Sequence, residues 1–284
     1  MIENQIKTIV LLGFLTGLLI GLGGLIGGYN GLFFGLVFAL VVNFGSYWFS
    51  DKIVLAIYRA KEAQKAKYKK LYGVVEEVAK LAGIPTPKIY IIPSNQSNAF
   101  ATGRNKDNAV VAFTDGILRL LSEEELKGVT AHEISHIKNK DILVSAIAAT
   151  IAGIISYIAM IARWGAIFGG FGGRNERNHN LLELLILSII APLIALVIRL
   201  AISRSREYLA DESGAAILRN SSGLAGALEK LESSAKHSSM NFGNESTSHL
   251  FIVNPFTLKG AVALFRTHPE TKDRVNRLKS MKFY

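Results

Sequence analysis

No cysteine occurs among the 284 residues. Its absence excludes disulfides, thiolate metal sites and cysteine nucleophiles, and it leaves His, Asp and Glu as the side chains able to hold a zinc-like metal. Histidine is itself scarce, with six in the chain. Charge is also thin: 19% of residues are charged, and none of them lies between Thr8 and Ser50. Half of the residues are hydrophobic and the mean hydropathy is +0.30, which is too apolar for an ordinary soluble domain.

What fills the chain instead is long apolar runs. Four stretches approach the roughly 20 residues that a bilayer-crossing helix needs: Thr8 to Gly28, Gly31 to Ser50, Ile142 to Met160 and Leu184 to Ile202. They read as two hairpins. In the first span Gly13, Gly17 and Gly21 recur at four-residue spacing, a close-packing pattern for helices in lipid. A signal peptide is the weaker reading, because the run is too long and no small-residue cleavage site follows. After the second span come Lys52, Arg59, Lys61, Lys65, Lys67, Lys69 and Lys70, which puts that side in the cytoplasm. The loop opposite holds Arg163, Arg174 and Arg177, so the bias is partial. A net charge of +10 could suggest nucleic acid. Here the basic residues flank the apolar runs and no nucleic-acid module accompanies them, so membrane lipids are the expected partner and nucleic acid is not.

The remaining residues divide into a segment between the hairpins and a tail after them. The first begins with a basic helix near Ala56 to Leu71 and an amphipathic helix near Val74 to Ala82, stopped by Gly83 and Pro85. Lys88 to Ile92 and Ala109 to Phe113 are short and β-branched, and they flank a turn-rich run from Pro93 to Asn108, so a small sheet is expected. Ser122 with Glu125 forms a capping box that opens a helix running to about Lys140.

That helix carries His132-Glu133-Ile134-Ser135-His136. On a helix two imidazoles four residues apart share a face and can hold one Zn²⁺, with Glu133 beside the metal to polarise a water. This is a peptide-hydrolysing arrangement. Glu123, Glu124, Glu125 and Lys127 precede the motif and Lys138, Lys140 and Asp141 follow it; so many charges keep the helix out of hydrocarbon. The active site is expected in water at the membrane surface. A catalytic zinc needs one more protein ligand. Two crossings return the chain to the same face, where the first carboxylate is Glu207, and Asp211 follows one turn later, able to hydrogen-bond the outer nitrogen of a ligating histidine. Glu183 and Glu212 are the competing carboxylates, both worse placed.

These motifs, with Ser97 to Gly103, Phe113 to Gly116, Ala131 to Asp141, Arg206 to Asp211, Thr267-His268-Pro269 and Arg274, make the chain resemble the HtpX-type membrane zinc metallopeptidases, relatives of the CAAX prenyl endopeptidases. The resemblance implies His132, His136 and Glu207 as zinc ligands and Glu133 as general base, in agreement with the reading of the residues. It further implies degradation of misfolded or damaged membrane proteins, with the active site facing the cytoplasm of a plasma (inner) membrane. Asn98 and Phe100 are candidates for a substrate-lining edge. By the same resemblance His268 would stabilise charge on the scissile carbonyl, braced by Arg274. The rival functions are a prenyl-protein endopeptidase and a catalytically silent membrane scaffold.

The expected fold is thus a mainly α membrane protein, with four transmembrane helices in two hairpins plus a zincin-like α+β metallopeptidase domain with a small sheet. Residues 1–50 form the first hairpin, and 51–141 the cytosolic half bearing the HExxH helix. Residues 142–202 form the second hairpin, and 203–284 the cytosolic half bearing the third ligand.

Overall fold

The computed structural model describes residues 2–151, 204–235, 250–253 and 269–283. The expected third span beyond Ile151 and the whole of the fourth lie outside them. Helix α1 runs over Ile2–Ile57, yet it is not one straight rod. Asn43 Nδ2 donates to the Leu12 carbonyl and to Thr16 Oγ1, although a straight helix would hold residues 12 and 43 about 46 Å apart. The chain therefore doubles back into two antiparallel arms. At the reversal Gly28 has φ 57°, a left-handed conformation that glycine adopts without a Cβ clash.

The glycines that let the arms meet are not the ones expected. Among the described residues, nothing lies within 4 Å of where a Cβ on Gly13, Gly17 or Gly21 would point. Instead a Cβ on Gly35 would stand 2.6 Å from the Leu19 carbonyl oxygen, and Gly23 and Gly31 exclude any side chain from each other. Contact is closest near the turn, where the arms converge. By length and composition, Gly28–Ile57 is the one described helix able to cross a membrane; Ile9–Gly24 and Ile142–Ile151 are shorter apolar helices.

Four strands follow: β1 (Lys61–Glu62), β2 (Lys88–Ile92), β3 (Ala99–Gly103) and β4 (Ala109–Thr114), in the order β1-β2-β4-β3. The β2–β4 pair is parallel and the other two are antiparallel. β2 and β4 stand where their β-branched runs predict. The helix expected over Ala56 to Leu71 does not form. Arg59 turns the chain with φ 51°, β1 pairs with β2, and the helix resumes as α2 (Lys69–Ala82). Ala63 N–H donates to the Ile89 carbonyl and the Tyr72 hydroxyl donates to that of Ala63, so tertiary pairing overrides the local helical preference. β3 also replaces an expected turn. Its Ala-Phe-Ala-Thr-Gly composition is a poor strand signal, but all five residues are buried and pair with β4 from Ala99↔Phe113 to Gly103↔Ala109.

The described helices that complete the domain are α3 (Asp115–Leu120), α4 (Glu123–Lys138), α5 (Ile142–Ile151), α6 (Arg204–Leu218), α7 (Ser222–Ala235) and α8 (Thr271–Ser280). α4 opens with the predicted capping box: Ser122 N–H donates to Glu125 Oε2 at 2.8 Å, and Glu125 N–H to Ser122 Oγ. It is the central element, wedged among α2, α6, α7 and β3. One core cluster unites Val75, Val78, Val111, Phe113, Ile134, Leu228 and Leu278 across these pieces. In α5, Val144, Ile147, Ala148 and Ile151 pack on Leu11, Leu15, Leu19 and Ala39 of α1. The third apolar run therefore begins against the first hairpin.

Candidate metal centre

α4 presents His132 and His136 on one face, and α6 lies across them. What lets α6 come so close is Gly214. A Cβ there would stand 2.9 Å from the backbone nitrogen of His132 and 3.0 Å from the Ala131 carbonyl carbon. On the same face of α6, Asp211 lies one turn before Gly214 and Glu207 two turns before it, which carries both carboxylates to the histidines.

His132 Nε2 is 3.2 Å from His136 Nε2 and 3.7 Å from Glu207 Oε2, and His136 Nε2 is 3.6 Å from Glu207 Oε1. Metal–ligand bonds of about 2.0–2.1 Å in a tetrahedron put ligand atoms about 3.3–3.4 Å apart. The three side chains therefore match one triangular face of a tetrahedral site. Among the described residues this is also the one group of at least three His, Asp or Glu whose ligand atoms converge, all within 4.8 Å. Glu212, the described competitor, is exposed.

The outer nitrogens fix the rings. His132 Nδ1 is 2.9 Å from Asp211 Oδ1 and His136 Nδ1 is 3.2 Å from Asp141 Oδ2. With each Nδ1–H donating to a carboxylate, both Nε2 atoms face the gap, where a neutral ring offers its lone pair. Asp211 is where the sequence pattern puts it. Asp141 appears in that pattern only as a flanking charge. Its position depends on Lys140, whose φ of 62° folds the chain back under the helix end, so that Asp141 N–H donates to the His136 carbonyl. An acid just past the end of an HExxH helix is the signal that could have found it.

Arg274, tied to His268 by the resemblance, pairs with Asp211 among the described residues. Nε and Nη2 donate to Asp211 at 2.8 and 2.7 Å, Nη1 donates to the Ile252 carbonyl at 3.0 Å, and Nη1 stands 3.8 Å from Glu207 Oε2. The guanidinium is buried and braces the carboxylate that braces His132. His268 lies outside the described residues.

The electrostatics follow from burial against charge. Burial pushes the Glu133 carboxyl up to about 7, with Glu207 adding to the rise while His136 and the Ala101 N–H oppose it. Burial pulls the His132 ring down, more than Asp211 raises it. For His136 burial also disfavours charge, but the Asp141 hydrogen bond and the Glu207 and Glu133 charges outweigh it and hold the ring at about 9. Burial would raise Asp211; the charge and hydrogen bonds of Arg274, with that of His132, bring it to about 2.

The centre opens on a cavity of about 30 Å³ lined by Ala101, Glu133, Ile142, Ser145 and Leu250 to Ile252, among others. Asn98 and Phe100, expected on a substrate edge, do not line it. Both are fully buried. Asn98 Nδ2 donates to the Val253 carbonyl and Phe100 packs against Tyr58 and Phe251. Their side chains anchor the segment Leu250 to Val253, whose Ile252 N–H donates to the Ala99 carbonyl. The expectation that these two side chains line a substrate edge is corrected accordingly: Asn98, just before β3, and Phe100 within it are packed inside, and the strand residue that meets the cavity is Ala101.

The Peptidase family M48 description matches residues 65–282, which take in β2 to β4, α4, α6 and α8. A "Protease HtpX homolog" of Syntrophobacter fumaroxidans is 50% identical over 280 residues, covering 98% of this chain and 99% of that one. Proteins of the same name from Thermodesulfovibrio yellowstonii and Thermococcus kodakarensis are 51% and 47% identical, over 98% and 84% of this chain and 98% and 82% of theirs. Among solved structures, Ste24p of S. mikatae superposes with a TM-score of 0.53 at 20% identity, over 98% of this chain. This chain spans 65% of that longer protein, so the likeness is one of fold. The HExxH helix, its third carboxylate and these relatives lead to one conclusion: the chain belongs to peptidase family M48 and is a membrane-associated metallopeptidase.

Proposed function

We propose that the chain is a membrane-integrated zinc endopeptidase that hydrolyses misfolded or damaged membrane proteins, with its active site on the cytoplasmic side of the plasma (inner) membrane. The observation that carries the reading is the converging His132, His136 and Glu207 triangle with Glu133 buried beside it. Those three residues would hold one zinc ion. Bound there, zinc supplies Lewis acidity toward the scissile carbonyl and makes a water more acidic. Glu133 takes the proton of the attacking water and returns it to the leaving amine. A value of about 7 suits a group that must both accept and donate near neutral pH. Asp211 and Asp141 hold the imidazoles in register, and Arg274 holds Asp211. His268 is assigned the role of stabilising the carbonyl oxygen as it becomes charged.

The membrane part of the proposal is four crossings in two hairpins. It is supported by the antiparallel arms of α1, by the packing of α5 on them, and by the return of Glu207 to the side of α4. Substrate from the bilayer is supported by Ile142 and Ser145, which belong to the first turn of the apolar α5 and yet line the catalytic cavity. The test pairs two variants of the purified chain in membranes. Glu133→Gln is expected to keep its zinc and lose cleavage of an unfolded membrane substrate by about 10²–10⁴-fold. Glu207→Ala is expected to lose both zinc and cleavage. Full cleavage by either variant would refute the assignment.

A further inference from the structure

Two hollows, one at the edge of the domain and one on α1, meet at a cation–aromatic contact. The first is a cavity of about 400 Å³ between the β3–β4 connection, the ends of α2 and α4, and the start of α5. Its lining carries Arg104, Lys106, Lys138 and Lys140 against one acid, Asp107, with Ile142 and Leu143 supplying apolar wall. The second is an open apolar groove of about 660 Å³ on α1, walled by Leu12, Leu40, Phe44, Tyr47 and Trp48. Arg104 lines the first and Trp48 the second, and the guanidinium carbon of Arg104 sits 4.3 Å from the Trp48 ring centroid.

The location narrows the ligand. No charge occurs from Thr8 to Ser50, and Asp51 and Lys52 are the first to follow; Lys138, Lys140 and Asp141 are the last before the apolar run of α5. Both hollows therefore sit where apolar helices end, and Tyr47 and Trp48 are aromatics of the kind that mark a lipid–water boundary. The basic cavity requires an anionic group, and the groove requires a long apolar chain beside it. A soluble acidic ligand would satisfy the cations and leave the groove bare. A zwitterionic lipid would fill the groove without the net charge that the cavity matches.

We propose that the two hollows together form a binding site for an anionic phospholipid, with its phosphate in the basic cavity, an acyl chain along Leu40, Phe44 and Trp48, and Arg104 at the joint. The site rests on the membrane-integrated reading of the chain and adds to it a defined lipid chemistry at a defined place.

The test uses Trp48 as the reporter. The full chain has two tryptophans, so Trp164→Phe leaves Trp48 alone. The protein is placed in phosphatidylcholine nanodiscs doped with lipid brominated on its acyl chain, bearing either a phosphatidylglycerol or a phosphatidylcholine head. Brominated phosphatidylglycerol is expected to quench Trp48 several-fold more than brominated phosphatidylcholine at equal mole fraction, and inorganic phosphate should not relieve it. The exposed pair Lys106→Gln and Lys138→Gln, which spares the Arg104–Trp48 stack, should bring the several-fold preference down close to parity, while Arg at both positions should retain it. Equal quenching by the two lipids, or an unchanged preference in the Gln variant, would overturn the site and leave the membrane reading standing. Relief by inorganic phosphate would overturn it in favour of a soluble phosphate ligand. Absence of quenching by either lipid would overturn the membrane reading itself and the site with it.

Discussion

His136 in the metal-free chain is held near a pKa of about 9, because the Asp141 hydrogen bond and the carboxylates of Glu207 and Glu133 outweigh its burial. The folded value lies above the ordinary 6.5. The stabilisation from the charged ring is therefore complete below about pH 6.5 and is lost as pH rises through about 9. A metal needs the neutral ring, so its affinity runs the other way. Zinc titrated into metal-free protein at pH 7 should release about one proton from His136 and bind more tightly up to about pH 9; calorimetry in buffers of different ionisation enthalpy checks this, and zero proton release would contradict it. Arg274 is the other decisive residue. Removing it leaves the Asp211 carboxylate buried without its cation, and Arg274→Met should cost about 3–5 kcal/mol of stability in thermal or denaturant unfolding. Arg274→Lys should recover only part, since an ammonium cannot span both carboxylate oxygens. The pattern of residues shows the HExxH pair, Glu207 and Asp211 directly. It does not show the Asp141–His136 contact or the Arg274–Asp211 pair, because the first depends on the chain reversal at Lys140 and the second joins residues 63 positions apart.

The element that decides the centre is the crossing of α4 and α6, and the crossing depends on Gly214. Gly214→Val should push α6 away from the His132 backbone, cost about 1–3 kcal/mol as an overpacked contact, and lower zinc content by drawing Glu207 back. Bound metal after dialysis, read beside the unfolding midpoint, separates the two effects. A stable variant with full zinc would mean that α6 is placed by something other than this contact. Strands and helices with strong local signals, β2, β4 and α4 with its capping box, are legible in the sequence. β1 and β3 are not. Both are made by pairing with a neighbour already present, in segments whose own composition points elsewhere.

At the scale of the whole molecule the four-span proposal predicts which face each connecting segment occupies, and the lack of cysteine makes the test clean. Single cysteines at Lys65 and Glu229, both on the catalytic side of the four-span proposal, should react with a membrane-impermeant thiol reagent from the same face of the bilayer. A cysteine at Tyr29, beside the α1 reversal, should react from the opposite face. Lys65 and Glu229 on opposite faces would rule out an even number of crossings between them. By itself the sequence determined the chemistry: histidines four apart with a glutamate between them form a local, helix-encoded pattern, and apolar runs carry their own length. Tertiary structure alone decided which carboxylate orients which ring, that Asn98 and Phe100 anchor a strap and do not line the cavity, and which glycines let the helices touch. Those outcomes depend on contacts between segments far apart in the chain, and a local pattern of residues carries no record of the distance at which two helices come to rest.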